Sequence, residues 1–253
     1  MTRFILKLLP ALLLATNLAL AEPDGMAELR KKAAAGDASA QNNLGELYAK
    51  GEGVPKDNTE AMKWWRKAAE QGNALAEYNL GVMYGDGMGV PSDSVEAVRW
   101  LRKAADQGMP LAQCNLGAAY YLGTGVAKDL TQAEKWWRQA AEQGDSLAQV
   151  SLGAIYAKGD GVTKNPVEAV KWYRKAAEQG EAEAQFNLGL LYVLEDGIPK
   201  DLVQADAWFS LAAAHGHEEA LRNFTIAERQ MTPEQKAAAI KLAAQLSEKM
   251  PRK

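Results

Sequence analysis

The sequence contains few of the residues from which catalytic and metal sites are built. Cys114 is its only cysteine, so no disulfide can form within the chain. Its only histidines, His215 and His217, stand two residues apart, and a metal site would need further ligands. No Gly-x-Ser-x-Gly segment occurs, and no serine is followed three residues later by lysine. The sequence therefore predicts no catalytic residues, no metal site and no cofactor.

The sequence also lacks an excess of positive over negative charge, and it lacks long apolar runs. With 29 Lys and Arg against 32 Asp and Glu, the chain has no basic surplus for nucleic-acid phosphates. Its one apolar run, Leu8 to Ala19, is short for a membrane span and follows the basic residues Arg3 and Lys7. Small residues for a cleavage site follow at Ala19-Leu20-Ala21, so residues 1–21 are predicted to be a signal peptide. An uncleaved N-terminal anchor is the alternative.

The dominant feature of the sequence is a strict repeat period of 36 residues. A period of this length predicts stacked repeats rather than separate globular domains. Most linker glycines, the cap residues and several alanines recur with the same 36-residue spacing. The recurring residues include Gly36, Gly72, Gly108, Gly144, Gly180 and Gly216; Tyr48, Tyr84, Tyr120, Tyr156 and Tyr192; and Trp64, Trp100, Trp136, Trp172 and Trp208.

Each repeat predicts two helices, here called its first and second helix. Ala40, Leu44, Leu47 and Tyr48 form the apolar stripe of the first helix in the first repeat. Gly45 and its equivalents lie inside the first helices, where they are predicted to allow close approach of the partner helix. An Asp or Asn followed three residues later by Glu or Gln predicts a capping box at each second helix. These pairs are Asp57 with Glu60, Asp93 with Glu96, Asp129 with Gln132, Asn165 with Glu168, and Asp201 with Gln204.

The ends of the chain depart from the repeat. Residues 22–35 are predicted to be an N-terminal capping segment. Residues 36–216 contain five repeats, at 36–71, 72–107, 108–143, 144–179 and 180–215, and the fifth has Glu195 in place of a linker glycine. Residues 217–249 are predicted to form a degenerate sixth repeat and a C-terminal capping helix that begins at Thr232.

The large aromatic residues and the single cysteine occupy repeated apolar positions. Large rings at helical spacing, exchanged for other apolar residues at the adjacent position, indicate core packing of the seven tryptophans rather than ligand binding. Cys114 occupies the position held by Tyr78, Val150 and Phe186 in other repeats. A packing role is therefore favoured for this thiol, and an exposed thiol is the alternative.

The repeated motif carries a resemblance. The string Ala-Gln-x-Asn-Leu-Gly-x-x-Tyr-x-x-Gly-x-Gly-Val, followed by Asp, Ala, Trp and Lys-Ala-Ala-Glu-Gln-Gly, stands at Ala40–Gly72 and, with Ser151 for the Asn and Asn165 for the Asp, at Ala148–Gly180. It resembles the Sel1-like repeat, a relative of the tetratricopeptide repeat. The resemblance implies an all-α fold, a right-handed superhelical solenoid of helix pairs whose first helices line a concave groove that binds partner proteins. Cysteine-rich relatives have been described as β-lactamase-like, but this chain lacks their cysteine pairs.

The predicted binding groove consists of first-helix positions opposite the packing stripe. These positions are unusually apolar in the middle repeats, which favours an interaction surface, although some of them could instead pack between neighbouring repeats. By the resemblance, a ladder of asparagines could bind the backbone of an extended peptide; a bracing bond between helices is the alternative. The candidate residues are Asn43, Tyr78, Asn79, Val82, Asn115, Ala118, Tyr121, Phe186, Asn187 and Leu190.

The sequence as a whole predicts an exported adaptor that binds a protein or peptide in this groove. We expect a monomer that is not an enzyme, binds no nucleic acid and keeps no membrane span once the signal is removed. The signal and the lack of a lipid-attachment cysteine favour the periplasm of a Gram-negative bacterium, with full secretion as the alternative. The competing functions are a cell-envelope hydrolase, β-lactamase-like or acting on cell-wall material, and a secreted effector that binds a host protein.

Overall fold

The fold consists of helices throughout the part of the chain that the computed structural model describes, residues 23–251, with side chains from residue 25. The signal peptide predicted at 1–21 lies outside these residues. Thirteen helices and no strand occur within 23–251. They are α1 (Pro23–Ala34), α2 (Ala38–Lys50), α3 (Asn58–Glu70), α4 (Ala74–Asp86), α5 (Ser94–Asp106), α6 (Pro110–Leu122), α7 (Leu130–Glu142), α8 (Ser146–Lys158), α9 (Pro166–Glu178), α10 (Ala182–Leu194), α11 (Leu202–Ala214), α12 (Glu218–Glu228) and α13 (Pro233–Lys249).

Two compact units, Met1–Asp129 and Leu130–Lys253, divide the chain, and we call them the N-terminal and C-terminal units. In the N-terminal unit, each helix from α1 to α6 packs against the next in chain order. In the C-terminal unit, the same order runs from α7 to α12. The predicted all-helical fold of first and second helices is thus confirmed. Between residues 23 and 251, none of the helices has the length and apolar character needed to cross a membrane.

The second helices begin at the predicted caps. Asp57 Oδ1 accepts hydrogen bonds from the backbone N–H groups of Thr59 and Glu60 at 2.9 and 3.0 Å. The second half of the predicted capping box is wrong for this helix, because the N–H of Asp57 donates to the Tyr48 carbonyl oxygen at 2.9 Å. Glu60 pairs instead with Lys63 at 2.5 Å. Each repeat thus uses the cap residue to join its two helices. The other second-helix caps with recorded side-chain bonds are Asp93, Asn165 and Asp201.

The glycines inside the first helices lie directly beneath a large side chain of the second helix. A Cβ on Gly45 would stand 2.8 Å from Trp65 Cδ1 and 3.0 Å from the Ala61 carbonyl oxygen. A Cβ on Gly153 would stand 2.5 Å from Tyr173 Cδ1. Neither position has room for a methyl group, so the predicted close approach is confirmed.

The linker between the two helices of a repeat reaches back to the repeat before it. Gly89 has φ +82°, and a Cβ there would lie 2.9 Å from the backbone of Asn58 at the start of α3. At the fifth repeat, Glu195 adopts the left-handed conformation of the missing linker glycine, with φ 53°. The fold therefore imposes this backbone conformation even where the sequence does not favour it.

The C-terminal unit ends in the predicted capping helix. α13 packs against α11, and its residues Ala243 and Leu246, together with Met250 directly after it, contact a buried cluster that contains Leu188 and Trp208. The capping box at Thr232 and Gln235 is complete. The prediction for the tryptophans is confirmed at six positions, which are buried: Trp65, Trp100, Trp136, Trp137, Trp172 and Trp208.

Candidate binding surface

Buried glutamines hold each first helix against the helix before it. Gln41 Nε2 donates to the Ala33 carbonyl oxygen at 3.0 Å, and Gln41 Oε1 accepts from Gln71 Nε2 at 2.7 Å. The sequence interpretation overlooked this ladder, although its members follow the same 36-residue spacing as the core residues. The equivalent bonds join Gln113 to Ala105, Gln149 to Ala141 and Gln185 to Ala177.

Glu77 is the one exception in this glutamine series. It is 4% exposed, and its Oε2 accepts a hydrogen bond from Gln107 Nε2 at 2.7 Å. An ionised carboxylate cannot donate to the Ala69 carbonyl oxygen, which stands where the other repeats place their acceptor. Burial raises the pKa of Glu77 above its usual range. The contact between α3 and α4 therefore keeps a buried polar side chain, but it lacks the hydrogen-bond donor that a glutamine would supply to the Ala69 carbonyl oxygen.

A second ladder fixes the C-terminal turn of four first helices, α4, α6, α8 and α10. Arg138 Nη2 donates to the Tyr156 hydroxyl at 2.5 Å, and Arg174 Nη2 donates to the Tyr192 hydroxyl at 2.6 Å. In the N-terminal unit, Arg66 and Arg102 bond in the same way to Tyr84 and Tyr120. Both ladders lie between helices, and neither includes any of the ten candidate binding residues.

In the N-terminal unit, the predicted binding residues differ in accessibility. Tyr78, Asn79 and Val82 are buried. Asn79 Nδ2 donates to Asn42 Oδ1 at 3.5 Å, which is a bracing bond between α4 and α2. The partly exposed candidates, which a partner could reach, are Asn43, Asn115, Ala118 and Tyr121.

Asn115 lines a cleft of about 80 Å³ in the N-terminal unit. Its other lining residues include Gly81 and Gly85 of α4, Leu101 of α5 and Leu122 of α6. Leu122 is 43% exposed although it is a large apolar residue. The cleft can take up a small aliphatic group, while the Asn115 amide can donate and accept hydrogen bonds beside it. Gly85 and Leu122 were absent from the sequence prediction.

In the C-terminal unit, the predicted residues Phe186, Asn187 and Leu190 lie on α10. Phe186 is buried, and its ring stacks on His217 with centroids 4.2 Å apart. Asn187 Nδ2 donates to the Glu183 carbonyl oxygen within its own helix at 2.9 Å. Asn187 and Leu190 are partly exposed, so they are the reachable part of this patch. Binding by any of the ten candidate residues stays a prediction.

A larger depression of about 370 Å³ follows the outer side of α3 around Trp64. The Lys67 ammonium lies 4.2 Å above the Trp64 ring, and Lys63 is paired with Glu60. These cations are therefore already engaged by neighbouring groups. Among residues 25–251, no group of three or more His, Cys, Asp and Glu side chains could hold a metal ion.

Repeated helix pairs, joined by the two polar ladders, define a helical-repeat protein of the solenoid class. The family model for the Sel1 repeat matches residues 38–73, 74–109, 110–145, 146–181 and 182–217. The chain therefore belongs to the Sel1 repeat family. Proteins of this family generally serve as scaffolds for protein–protein interaction.

Two solved structures carry the comparison further. A protective antigen present in uropathogenic Escherichia coli strains, which displays an SLR fold, is 37% identical with a TM-score of 0.79. That match covers 91% of this chain and 49% of the antigen, so the chain spans about half of the antigen's length. A Sel1 repeat protein from Oxalobacter formigenes is 37% identical with a TM-score of 0.76, over 87% of this chain and 90% of that one. A comparison with curated proteins gave no match.

Proposed function

We propose that this protein is an exported adaptor that binds a peptide or protein partner through the exposed face of its first helices. The observation that carries the proposal is the cleft beside Asn115 in the N-terminal unit. It combines an apolar interior, an exposed Leu122 at its edge and a side-chain amide with free hydrogen-bonding capacity for a peptide backbone.

The arrangement of charge around the cleft suits a neutral or apolar segment. Leu122 of α6, which lines the cleft, is 43% exposed, and no Lys, Arg, Asp or Glu lines the cleft. Exposed apolar residues beside a preformed cleft are a common feature of protein interaction sites. We therefore expect an aliphatic side chain of the partner to enter the cleft while its backbone bonds Asn115.

The test is site-specific photo-crosslinking in living cells. A photoreactive residue at Leu122 places the reagent at the cleft, and one at Arg99 places it on the exposed side of the second helix α5 in the same unit. We expect one discrete crosslinked partner from Leu122 and none from Arg99. Diffuse labelling of equal strength from both positions would reject the assignment of this surface.

A binding measurement with the captured partner then tests the residues. Leu122→Asp should weaken binding strongly, because it places a charge at an apolar contact, and Asn115→Ala should weaken it by about tenfold. Arg99→Ala serves as the matched control and should leave affinity unchanged. Unchanged affinity in Leu122→Asp would contradict the proposal.

Export, periplasmic location and a monomeric state belong to the same proposal. Export and periplasmic location are supported by the signal-like residues 1–21, with the cleavage site near Ala21. Fractionation should recover the shortened protein from the periplasm, and light scattering should give the mass of one chain. Recovery from the culture medium would favour the effector alternative. Recovery of the full-length protein, with residues 1–21 still attached, from the membrane fraction would contradict cleavage.

We also propose that the protein binds without catalysing a reaction. Support comes from the single cysteine, the two histidines and the absence of Gly-x-Ser-x-Gly and Ser-x-x-Lys segments in the sequence, and from the non-enzymatic role typical of the family. Purified folded protein should show no hydrolysis of a β-lactam or of peptidoglycan fragments. Turnover that scales with protein concentration and survives purification by a second method would overturn this part.

A further inference from the structure

The last residue of each first helix holds an equivalent position, and its chemistry differs from repeat to repeat. Leu122, the last residue of α6, lines the cleft beside Asn115. Asp86, the last residue of α4, holds the same position one repeat earlier. Within the N-terminal unit, the position therefore changes from basic to acidic to apolar. Over five repeats its residues are Lys50, Asp86, Leu122, Lys158 and Leu194.

Asp86 is an accessible carboxylate without a partner of opposite charge. Within the part of the chain that the structure describes, burial alone acts on this carboxyl group, and it raises the pKa of Asp86. Lys50, the equivalent residue of α2, is instead paired with Glu46 at 2.8 Å. A carboxylate that has lost part of its hydration and gained no cation in return is suited to bind a cation from another molecule.

The place of Asp86 in its helix also disfavours the negative charge. The C-terminal end of a helix carries a partial negative charge, which favours a cation there. α2 and α8 follow this rule and end in lysine, whereas α4 has no basic residue in its last turn. A position that breaks a local rule without a compensating contact indicates a functional role rather than a structural one.

Asp86 and the cleft are close enough for one short segment to reach both. Residues of α4 and α6 line the cleft together, so these first helices are neighbours at the surface. Equivalent positions on neighbouring helices are separated by about 10 Å, the usual distance between packed helix axes. An extended chain rises about 3.3 Å per residue, so about three residues of a partner span the distance from Leu122 to Asp86.

Gly85, directly before Asp86, accounts for a cleft at this repeat. It lines the cleft, and it has no side chain to fill it. Every other repeat has a side chain at this position: Ala49, Tyr121, Ala157 and Val193. The cleft and the unpaired carboxylate are therefore contributed by adjacent residues of α4.

We propose that the partner segment is extended and carries an aliphatic residue and a lysine or arginine about three residues apart, with the aliphatic side chain in the cleft and the cation on Asp86. This inference rests on the proposed function, because it requires a peptide segment in the cleft. The cleft has no charged lining residue, so the apolar residue meets no charge and the cation meets one. An acidic residue at the same spacing would be repelled by Asp86.

Selection from a phage-displayed library of random 12-residue peptides on the immobilised protein tests the inference. Clones that also bind Gly85→Val, which fills the cleft with the side chain found in α10, are removed. A parallel depletion uses Leu122→Ser, so that the test does not depend on the folding of one variant. We expect the remaining peptides to share an aliphatic residue with Lys or Arg two to four residues away. On Asp86→Lys, the same selection should yield Asp or Glu at that spacing.

Affinities of one selected peptide, measured by fluorescence polarisation, then test the contact itself. Asp86→Asn should weaken binding about fivefold at low salt, and less at high salt. Norleucine in place of the basic residue of the peptide should have a similar effect, and the two changes together should cost little more than either one. Asp106→Asn is the matched control, because Asp106 is an exposed last residue of α5, and it should leave affinity unchanged.

The outcomes separate this inference from the proposed function. If no peptide loses binding when the cleft is altered, both are overturned. Cleft-dependent peptides that lack a basic residue, or that keep one when selected on Asp86→Lys, would overturn the basic partner alone and leave the adaptor proposal standing. Additive effects of Asp86→Asn and norleucine would likewise show that the cation does not contact Asp86.

Discussion

The last contact between a second helix and the next first helix, α11 with α12, differs from the internal contacts of the same kind in the residues at two equivalent positions. At the internal junctions, an arginine of the second helix donates to a tyrosine hydroxyl of the next first helix, as Arg138 does to Tyr156. At the last junction these positions are Ser210 and Glu228. The helix-internal glycine is replaced in the same helix by Thr225, whose Oγ1 donates to the Leu221 carbonyl oxygen at 3.0 Å. The comparison teaches that α12 joins α11 without the arginine–tyrosine bond and lacks the glycine against which a second helix packs, and the helix that follows, α13, packs against α11 instead.

The largest difference between the two regions should be in tolerance of a side chain at the glycine position. Gly153→Thr introduces atoms where Tyr173 Cδ1 already lies 2.5 Å from an added Cβ, so it should lower the free energy of unfolding by about 3 kcal/mol. Thr225→Gly, at the equivalent position of α12, should cost only about 0.3 kcal/mol through helix propensity alone, since threonine is itself a poor helix former. Urea denaturation of both variants measures the contrast. Similar losses would show that α12 is packed as closely as α8.

The arginine–tyrosine bond should come next in size. Arg138→Met removes both donors of the arginine from Glu134 and the bond to Tyr156, and it should destabilise the protein by about 1–2 kcal/mol, since these groups are only partly buried. Ser210→Arg should instead raise stability, by up to about 1 kcal/mol, because the new arginine lies four residues after Asp206 and opposite Glu228, whose carboxylate oxygens accept charge-assisted hydrogen bonds. A double-mutant cycle of Arg138→Met with Tyr156→Phe gives the coupling. Additive effects would contradict a shared bond.

The exception in the glutamine ladder gives a pH-dependent prediction for the N-terminal unit. Glu77→Gln supplies the missing donor toward the Ala69 carbonyl oxygen, and it should raise stability by about 1 kcal/mol at pH 7. Burial raises the pKa of Glu77, so the wild-type residue favours folding at low pH and loses this contribution as the pH rises through its folded-state pKa. The advantage of the variant should therefore shrink in acid. Gln113→Glu, at the next repeat, should show the reverse change.

The smallest effect is expected at the linker of the fifth repeat. Glu195 has φ 53°, where glycine stands in the four preceding repeats. Glu195→Gly relieves the left-handed strain but increases the freedom of the unfolded chain, so the net gain should be about 0.5 kcal/mol. Thermal unfolding measures it. Gly159→Glu is the matched change in the preceding repeat, and it should destabilise rather than stabilise the protein.

Much of the fold could be predicted because the repeat shows each position several times. The period, the caps at Asp57 and its equivalents, and the start of α13 at Thr232 depend on local backbone chemistry and appear in the structure as expected. The second half of the capping box was predicted wrongly. A sequence does not show that the Asp57 N–H already has an acceptor, the Tyr48 carbonyl oxygen nine residues earlier.

The binding surface was harder to predict than the helices. The rule that positions opposite the apolar stripe face outward does not hold for Tyr78, Asn79 and Val82, because α4 is buried on more than one side. A helix inside a solenoid contacts helices before and after it as well as its own partner, so its accessible face is narrow. Gly85 and Leu122, which complete the cleft, lie at the ends of their helices, where a stripe pattern gives little information.

The sequence by itself determined the number of helices, their caps and the repeat family, because these depend on spacing and on groups close together in the chain. Tertiary structure decided which polar groups are satisfied and which surface stays accessible. Asp206 illustrates this division, because it occupies the same repeat position as Glu134 but lies buried beside Glu228 with one oxygen lacking a partner. Solvation and charge at a buried position depend on helices that are distant in sequence, and those are fixed only when the helices pack.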